Sequence, residues 1–326
     1  MMDEATNQAD PPLAACLAIA GVGLLGASLG LALKERKLCR RVIGIGRADS
    51  PSLAQAREIG AIDEGFTDPQ AAAEAQIVVL ATNVGLFPDL MRRMGPVLAS
   101  GTLVTDVGST KVQVMRWAAR YLPAAVDFIG SHPMAGSEKR GPLAAKPDLF
   151  NNAICLLCPP PARGRGRGTP ARIHAAMTRT QSMWRNIGMQ TRQLPPEAHD
   201  AWVAAISHLP HAAAMAVVLS AARTPDAFPA VAGGFLDTTR IAGGDAAMWA
   251  DIFLTNRGPV RREIGNIIRE LKQLQAAIAG NDRPKVLAML EQAREMRGRI
   301  AAARAAAKLP AGAAPASSPA GAQGDL

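Results

Sequence analysis

Aromatic residues are scarce in this chain of 326 residues: seven Phe, four Trp and one Tyr make up 4% of it, although 48% is hydrophobic. Its core must pack on aliphatic side chains and alanine. Cysteine is also scarce. Four cysteines in a chain this long cannot make a disulfide framework, so a reducing, cytoplasmic setting is expected. Two of them, Cys155 and Cys158, form a C-x-x-C inside a run that reads as a strand. Residues three apart on a strand face opposite sides, and no second pair exists, so a metal site is not expected. Acidic residues number 27 against 36 basic ones, a net charge of +9. That balance suits an anionic substrate or a phosphorylated cofactor, and it makes nucleic acid a partner to consider.

Charge is missing altogether from residues 13–33, a stretch about as long as a membrane span. It contains Gly21, Gly23, Gly26 and Gly30, and the preceding residues 1–10 are acidic and polar rather than basic. Glycines at tight-turn spacing suit a strand, a turn and a helix, not a signal peptide or a membrane segment.

The first half alternates short apolar runs with helical stretches, the pattern of a parallel sheet with crossover helices. The runs are residues 15–20, 42–45, 77–81, 102–105, 126–129 and 154–157. A proline- and arginine-rich break follows at 159–170, with Arg163, Arg165 and Arg167 each followed by glycine. A helix over 171–186 and a short run ending at Leu194 complete a first domain, 13–195, bounded by Pro195-Pro196. In the second half, alanine-rich segments with helical spacing cover 197–223, 247–280 and 283–308, so residues 196–308 read as all-helical. Residues 309–326 are too poor in large apolar groups to fold and are expected to form a disordered tail.

Gly21-Val22-Gly23-Leu24-Leu25-Gly26 follows a strand and opens a helix, the context a dinucleotide-binding loop requires. Gly21 permits the tight turn, Gly23 lets the backbone approach a pyrophosphate, and Gly26 allows the helix to pack closely. Leu24 and Leu25 place their N–H groups at the helix start, where the dipole favours an anion. The second strand ends at Gly46-Arg47. An arginine there accommodates a 2′-phosphate, which favours NADP over NAD, and nearby Asp49 pulls the other way.

Four further blocks carry polar chemistry. Ser131-His132-Pro133-Met134-Ala135-Gly136-Ser137-Glu138 follows the fifth run. Proline disfavours the helical region for the residue before it, so His132 is extended or in a turn where strand ends meet a nicotinamide. Ser109, within Thr105-Asp106-Val107-Gly108-Ser109-Thr110-Lys111, either caps the following helix or presents its hydroxyl to the site. His199-Asp200 precedes Ser207-His208-Leu209-Pro210-His211. Asp200 and His211, eleven residues apart, share a helix face that Pro210 is expected to kink. Asp237-Thr238-Thr239-Arg240 lies between glycine pairs, with Trp249, Asp251 and Asn256-Arg257 beyond it. Arg240 there suits bidentate carboxylate binding, or a surface ion pair.

Together these blocks, in order over about residues 17–296, closely resemble the prephenate/arogenate dehydrogenase family of tyrosine biosynthesis. The resemblance implies a Rossmann-type domain followed by a helical domain that forms an intertwined homodimer. It implies oxidative decarboxylation of prephenate, or in the alternative of arogenate or of both, with hydride passing to NAD(P). His132 matches the catalytic histidine that takes the proton of the ring 4-hydroxyl, and Ser109 the serine that orients it. Arg240 matches a carboxylate-binding arginine and His211 a second site histidine. Glu138, Asp200 and Trp249 match residues bordering the pocket. Thr82-Asn83 departs from the small residue and proline that the family often has beside the nicotinamide, so Thr82 shapes that loop differently.

Other readings fit less of the chain. A β-hydroxyacid or imine reductase would share the glycine loop but not both the Ser-His-Pro-Met and Asp-Thr-Thr-Arg blocks. An RNA-binding role for the Arg163–Arg165–Arg167 stretch lacks long arginine–glycine runs and stacking aromatics. No nucleic-acid or membrane partner is therefore expected.

Overall fold

A computed structural model describes residues 13–137, 139–160 and 168–307. Its eight described strands form one sheet: β1 (Ala14–Ala20), β2 (Cys39–Ile45), β3 (Glu64–Phe66), β4 (Ile77–Leu80), β5 (Leu103–Asp106), β6 (Asp127–Pro133), β7 (Ile154–Cys158) and β8 (Gln190–Gln193). They lie in the order β3-β2-β1-β4-β5-β6-β7-β8. The first six are parallel, β7 runs antiparallel to β6, and β8 is parallel to β7. The order reverses between β1 and β4, which is where an open α/β sheet leaves a crevice for a ligand.

The helices are α1 (Leu24–Glu35), α2 (Ser52–Glu58), α3 (Phe87–Met94), α4 (Val112–Tyr121), α5 (Pro170–Asn186), α6 (Pro196–Val203), α7 (Leu209–Ala221), α8 (Gly233–Thr239), α9 (Ala246–Thr255), α10 (Arg257–Ala279) and α11 (Arg283–Ala307). The central strands are apolar without interruption because both faces are covered. Alternate residues feed two cores. Leu17, Ile19, Ile77 and Val79 pack in one with Trp184 of α5 and Leu29 of α1. Ala18, Ala20, Val78 and Leu80 pack in the other with Phe87 and Met91 of α3.

Two glycines fix the turn between β1 and α1. Gly21 has φ +100°, and a Cβ there would stand 2.7 Å from the Ala81 and Thr82 backbone. A Cβ on Gly26 would stand 2.0 Å from the Gly21 carbonyl oxygen. The loop is thus wedged against the end of β4.

At the end of β5, Asp106 and Lys111 form an ion pair with both side chains fully buried. Asp106 also accepts from the Ser131 amide at 2.9 Å and the Gly108 amide at 2.9 Å. Lys111 donates to the carbonyls of Gly108 and Thr110 at 2.9 and 3.1 Å. Burial raises the Asp106 carboxyl above its ordinary range even with the ammonium beside it.

The architecture is the expected Rossmann-type sheet domain followed by helices, with three differences in detail. β3 is short and half polar, so no apolar run announced it. β6 continues through Pro133, which places His132 on the strand rather than in the loop beyond it. The expected kink at Pro210 is instead a π-helical turn over Ala204–His208, which absorbs one extra residue between α6 and α7. The helices just past Pro195-Pro196 pack with the sheet. Residues up to Gly265 form one unit and those from Asn266 a second, so α6 to α9 pack as part of the sheet-containing unit. The helical stretch Pro196–Ala221 is long and apolar enough to cross a membrane, with hydropathy 1.5. It buries His199, Asp200, His208 and His211, as a core helix with a polar task would. The Arg163–Arg165–Arg167 stretch and the tail at 309–326 lie outside the described residues.

The buried pair at the end of β5 generates a stability prediction. Lys111→Met should strand Asp106 without its counter-charge and cost about 3–5 kcal/mol. Urea unfolding followed by circular dichroism measures this; a loss below about 1 kcal/mol would show that the pair does not anchor the strand end.

Candidate active site

Ser131 and His132 are neighbours on a strand and therefore point to opposite faces. Ser131 points into the core, where a closed hydrogen-bond chain holds it. Trp184 Nε1 donates to Ser131 Oγ at 3.1 Å, Ser131 Oγ pairs with Thr105 Oγ1 at 2.7 Å, and Thr105 Oγ1 donates to the Ile129 carbonyl at 2.7 Å. With every donor used, β6 cannot slip or rotate at this point. His132 consequently faces the other way, half-buried, towards α6.

There its Nδ1 lies 2.9 Å from Nε2 of His199, whose Nδ1 lies 2.9 Å from Oδ1 of Asp200. Nothing among the described residues engages Nε2 of His132. Asp200 caps α4 from outside the helix: its Oδ1 accepts from the Lys111 amide at 2.7 Å and its Oδ2 from the Val112 amide at 2.9 Å. The helix supplies no cap of its own, since Lys111 occupies the cap position without a side-chain bond. Ser109 is thus not the cap. It sits partly exposed in the loop between β5 and α4, and its hydroxyl is unengaged among the described residues.

α9 is pinned to the strand-end loops by Asp251 Oδ2 on the Gly85 amide at 3.1 Å and by Thr255 Oγ1 against Thr110 Oγ1 at 3.0 Å. Asn256, just beyond it, donates to the Asp200 carbonyl at 2.8 Å. On the same helix Trp249 stacks on His211, with centroids 3.6 Å apart and planes at 14°. Gly244 is pressed against both rings, so the turn Arg240–Gly243 ends beside this stack.

The crevice between β1 and β4 fits a dinucleotide. Around Gly23 there is open space where a Cβ would stand, and α1 begins with no side-chain cap and no acidic residue in its first turn. Leu24 and Leu25 are partly buried at that helix start, and Thr82 closes the loop from the β4 side. Arg47 is 75% exposed at the end of β2, and its Nε lies 3.4 Å from Asp49 Oδ1.

Comparison with known proteins bears on this arrangement. The model of the prephenate dehydrogenase nucleotide-binding domain matches residues 29–167, and that of the prephenate dehydrogenase dimerization domain matches 195–292. A prephenate dehydrogenase of Bacillus subtilis is 33% identical over 285 residues, covering 86% of this chain and 74% of the relative. The chain belongs to the prephenate dehydrogenase family. A cyclohexadienyl dehydrogenase of Zymomonas mobilis is 30% identical, covering 86% of this chain and 94% of the relative. The crystal structure of the prephenate dehydrogenase of Aquifex aeolicus with hydroxyphenyl propionate and NAD+ superposes with a TM-score of 0.79 at 28% identity, covering 87% of this chain and 98% of that one.

Within this member of the family, the structure brings His132 into a chain with His199 and Asp200, and pairs His211 with Trp249. Asp200 ties neighbouring elements together. It is 2% exposed, and both oxygens are taken up by α4 and His199. Glu138 lies outside the described residues. Arg240 is exposed at the start of its turn. A cavity of about 660 Å³, lined by Arg116, Trp117, Glu197, Asp200, Arg257 and Arg262 among others, contains neither His132 nor His199. The sequence placed His199 in a polar block without assigning it a role, and it did not reveal the Thr105–Ser131–Trp184 chain, whose members are far apart in sequence.

Burial lowers the pKa of all four histidines of the site: His132 well below 6.5, His199 and His211 below it, and His208 to about 4. For His132 the neighbouring His199, Lys111 and His208 lower it further. These rings are neutral in the fold, whereas the unfolded chain protonates them below about pH 6.5. Stability should therefore fall as pH drops from 6.5 towards 4. For His208 alone the difference is worth roughly 3 kcal/mol. Urea midpoints between pH 7.5 and 4.5 should decline, and His208→Asn should flatten the decline. An identical slope in the variant would mean that His208 is not held neutral.

Proposed function

We propose that the chain is an NAD(P)-dependent prephenate dehydrogenase acting in tyrosine biosynthesis. It converts prephenate to 4-hydroxyphenylpyruvate and carbon dioxide. The observation that carries this reading is the placement of His132, its Nε2 unengaged among the described residues at the carboxyl end of β6, on the same sheet as the glycine loop at the switch point.

The residues divide the work as follows. Gly21, Gly23 and Gly26, with the amides of Leu24 and Leu25, would hold the pyrophosphate, and Thr82 would bound the nicotinamide side. A nicotinamide held there would supply the acceptor for the hydride of ring carbon 4. His132 Nε2 takes the proton of the 4-hydroxyl as that oxygen becomes a carbonyl. The bond from ring carbon 1 to its carboxylate then breaks, its electrons aromatise the ring, and the oxygen becomes a phenolate. His132 returns the proton to it, so none is released overall. Ser109 orients the hydroxyl. Arg240 binds a substrate carboxylate, with His211 and Trp249 walling the side-chain end.

Gly46 and Arg47 favour NADP over NAD: the guanidinium is exposed and, among the described residues, is tied only to exposed Asp49, so it can turn to a 2′-phosphate. Large apolar residues stand exposed on α7 (Val218, Leu219), on α10 (Ile268, Leu271, Ile278) and on α11 (Leu290, Ile300), which supports a homodimer formed through these helices.

Absorbance at 340 nm with prephenate and arogenate, each against NAD and NADP, tests the reading. Turnover is expected with prephenate, and faster with NADP. His132→Asn should lower kcat by about 10²–10⁴ with KM little changed. Absence of turnover with all four pairs in folded protein would overturn the reading. Arg240→Gln should instead raise KM sharply, by roughly 10–100-fold for a lost charge-assisted pair; a lowered Tm with unchanged KM would make Arg240 structural.

A further inference from the structure

We propose that His199 is a positioning residue for His132: with Asp200 it fixes the proton on Nδ1 of His132 and so leaves Nε2 bare for the reaction. The inference rests on the reading of His132 as the base and adds the device that makes it one.

A carboxylate can only accept hydrogen bonds, so Asp200 requires the proton of His199 to be on Nδ1. His199 is neutral in its buried position, so its Nε2 carries a lone pair. That lone pair, 2.9 Å from Nδ1 of His132, requires a proton there. The proton positions along the chain are thus set from the Asp200 end. The other tautomer of His132 would bring two lone pairs together at 2.9 Å. Relieving that contact by turning His199 over would put its bare nitrogen against the carboxylate. Both alternatives lose a buried hydrogen bond and gain a repulsion.

Asp200 can impose this order because it cannot move. Two amides at the N-terminus of α4 hold its oxygens, and Asn256 holds its carbonyl. The positive end of the helix dipole also favours the carboxylate. When Nε2 of His132 takes a proton, the positive ring remains bonded to the His199 lone pair, and the Asp200 charge lies one ring further on. The other charges near the pair, Asp106 and Lys111, are bonded to each other, and the Lys111 ammonium acts against a positive charge on His132. His199 is 0% exposed, so it reaches neither substrate nor solvent. Any effect it has on the reaction passes through His132. The logic is that of an acid–histidine pair with a second imidazole inserted.

The test compares His199→Leu, which cannot accept, with His199→Gln, whose amide oxygen can. Steady-state kinetics with prephenate should show a loss in kcat of about 10²-fold for His199→Leu, little change in KM, and substantial recovery in His199→Gln. In the His132→Asn background His199→Leu should cost nothing further, because residues acting as a unit are non-additive. Independently of any substrate, the ¹⁵N spectrum of histidine-labelled protein at pH 7.5 should show His132 protonated on Nδ1 in the wild type and as a tautomer mixture in His199→Leu. A wild-type spectrum in His199→Leu, or additive losses in the double variant, would overturn the proposal. Should His199→Leu fail to fold, the spectrum of His199→Gln decides: a retained Nδ1 proton supports the proposal and a shifted one contradicts it. If His132→Asn itself turns over normally, the base assignment fails. A slow His132→Asn beside a normal His199→Leu removes the positioning role alone.

Discussion

The arrangement depends on one constraint of strand geometry: consecutive residues of β6 must face opposite ways. Ser131 is tied into the core by Trp184 and Thr105, and its amide is tied to Asp106. Each bond is modest by itself, but together they leave one register and one rotation for the strand end. His132 inherits its direction from that fixation and needs no packing of its own on the cleft side. The reactive ring can stay half-open to a ligand while its backbone is as rigid as any core residue. A histidine in a loop would have to obtain the same precision from contacts that a substrate would then displace.

Electrostatics reinforce the geometry. Beneath the site two opposite charges, Asp106 and Lys111, are buried with their hydrogen bonds filled, which makes them a fixed dipole rather than a reactive pair. Around them the histidines are kept neutral by desolvation, and the nearby ammonium disfavours a second positive charge on His132 or His199. Asp200 is the exception to neutrality on the helical side, and it is used twice, as a helix cap and as the end of the His199 chain. One carboxylate therefore couples the start of α4, which carries the Ser109 loop, to the orientation of the base. A change in either would be felt by the other.

Much of this was legible in the sequence because the signals are local. Apolar runs at the right spacing gave the strands that are buried on both faces, and the glycine pattern gave the turn at Gly21 and the close contact at Gly26. His132 stood out because proline follows it. What escaped were features made by pairing across the chain. β3 is held by its neighbour rather than by its own hydrophobicity. β7 reverses direction without any residue that announces it. Only the fold shows that the oxygens of Asp200 are bonded to α4 and to His199. The π turn arises because the helix must keep both His199 and His211 inward across a proline, which a single α-helical period does not satisfy.

The two halves of the site are linked more directly than their separation in sequence suggests. Gly21 is pressed against the end of β4, and the loop after β4 is held by Asp251 of α9. α9 also carries Trp249, which stacks on His211, and is followed by Asn256, which holds the Asp200 carbonyl. The loop after β4 and the helix that carries His199 and Asp200 thus share one support. Displacing α9 would disturb the cofactor crevice, the His211 wall and the Asp200 anchor together. That common support is a physical reason for the compact unit to extend past the sheet as far as Gly265. The helices up to α9 belong with the sheet because they complete its carboxyl edge, and the exposed apolar residues of α11 beyond that limit are left to form contacts of another kind.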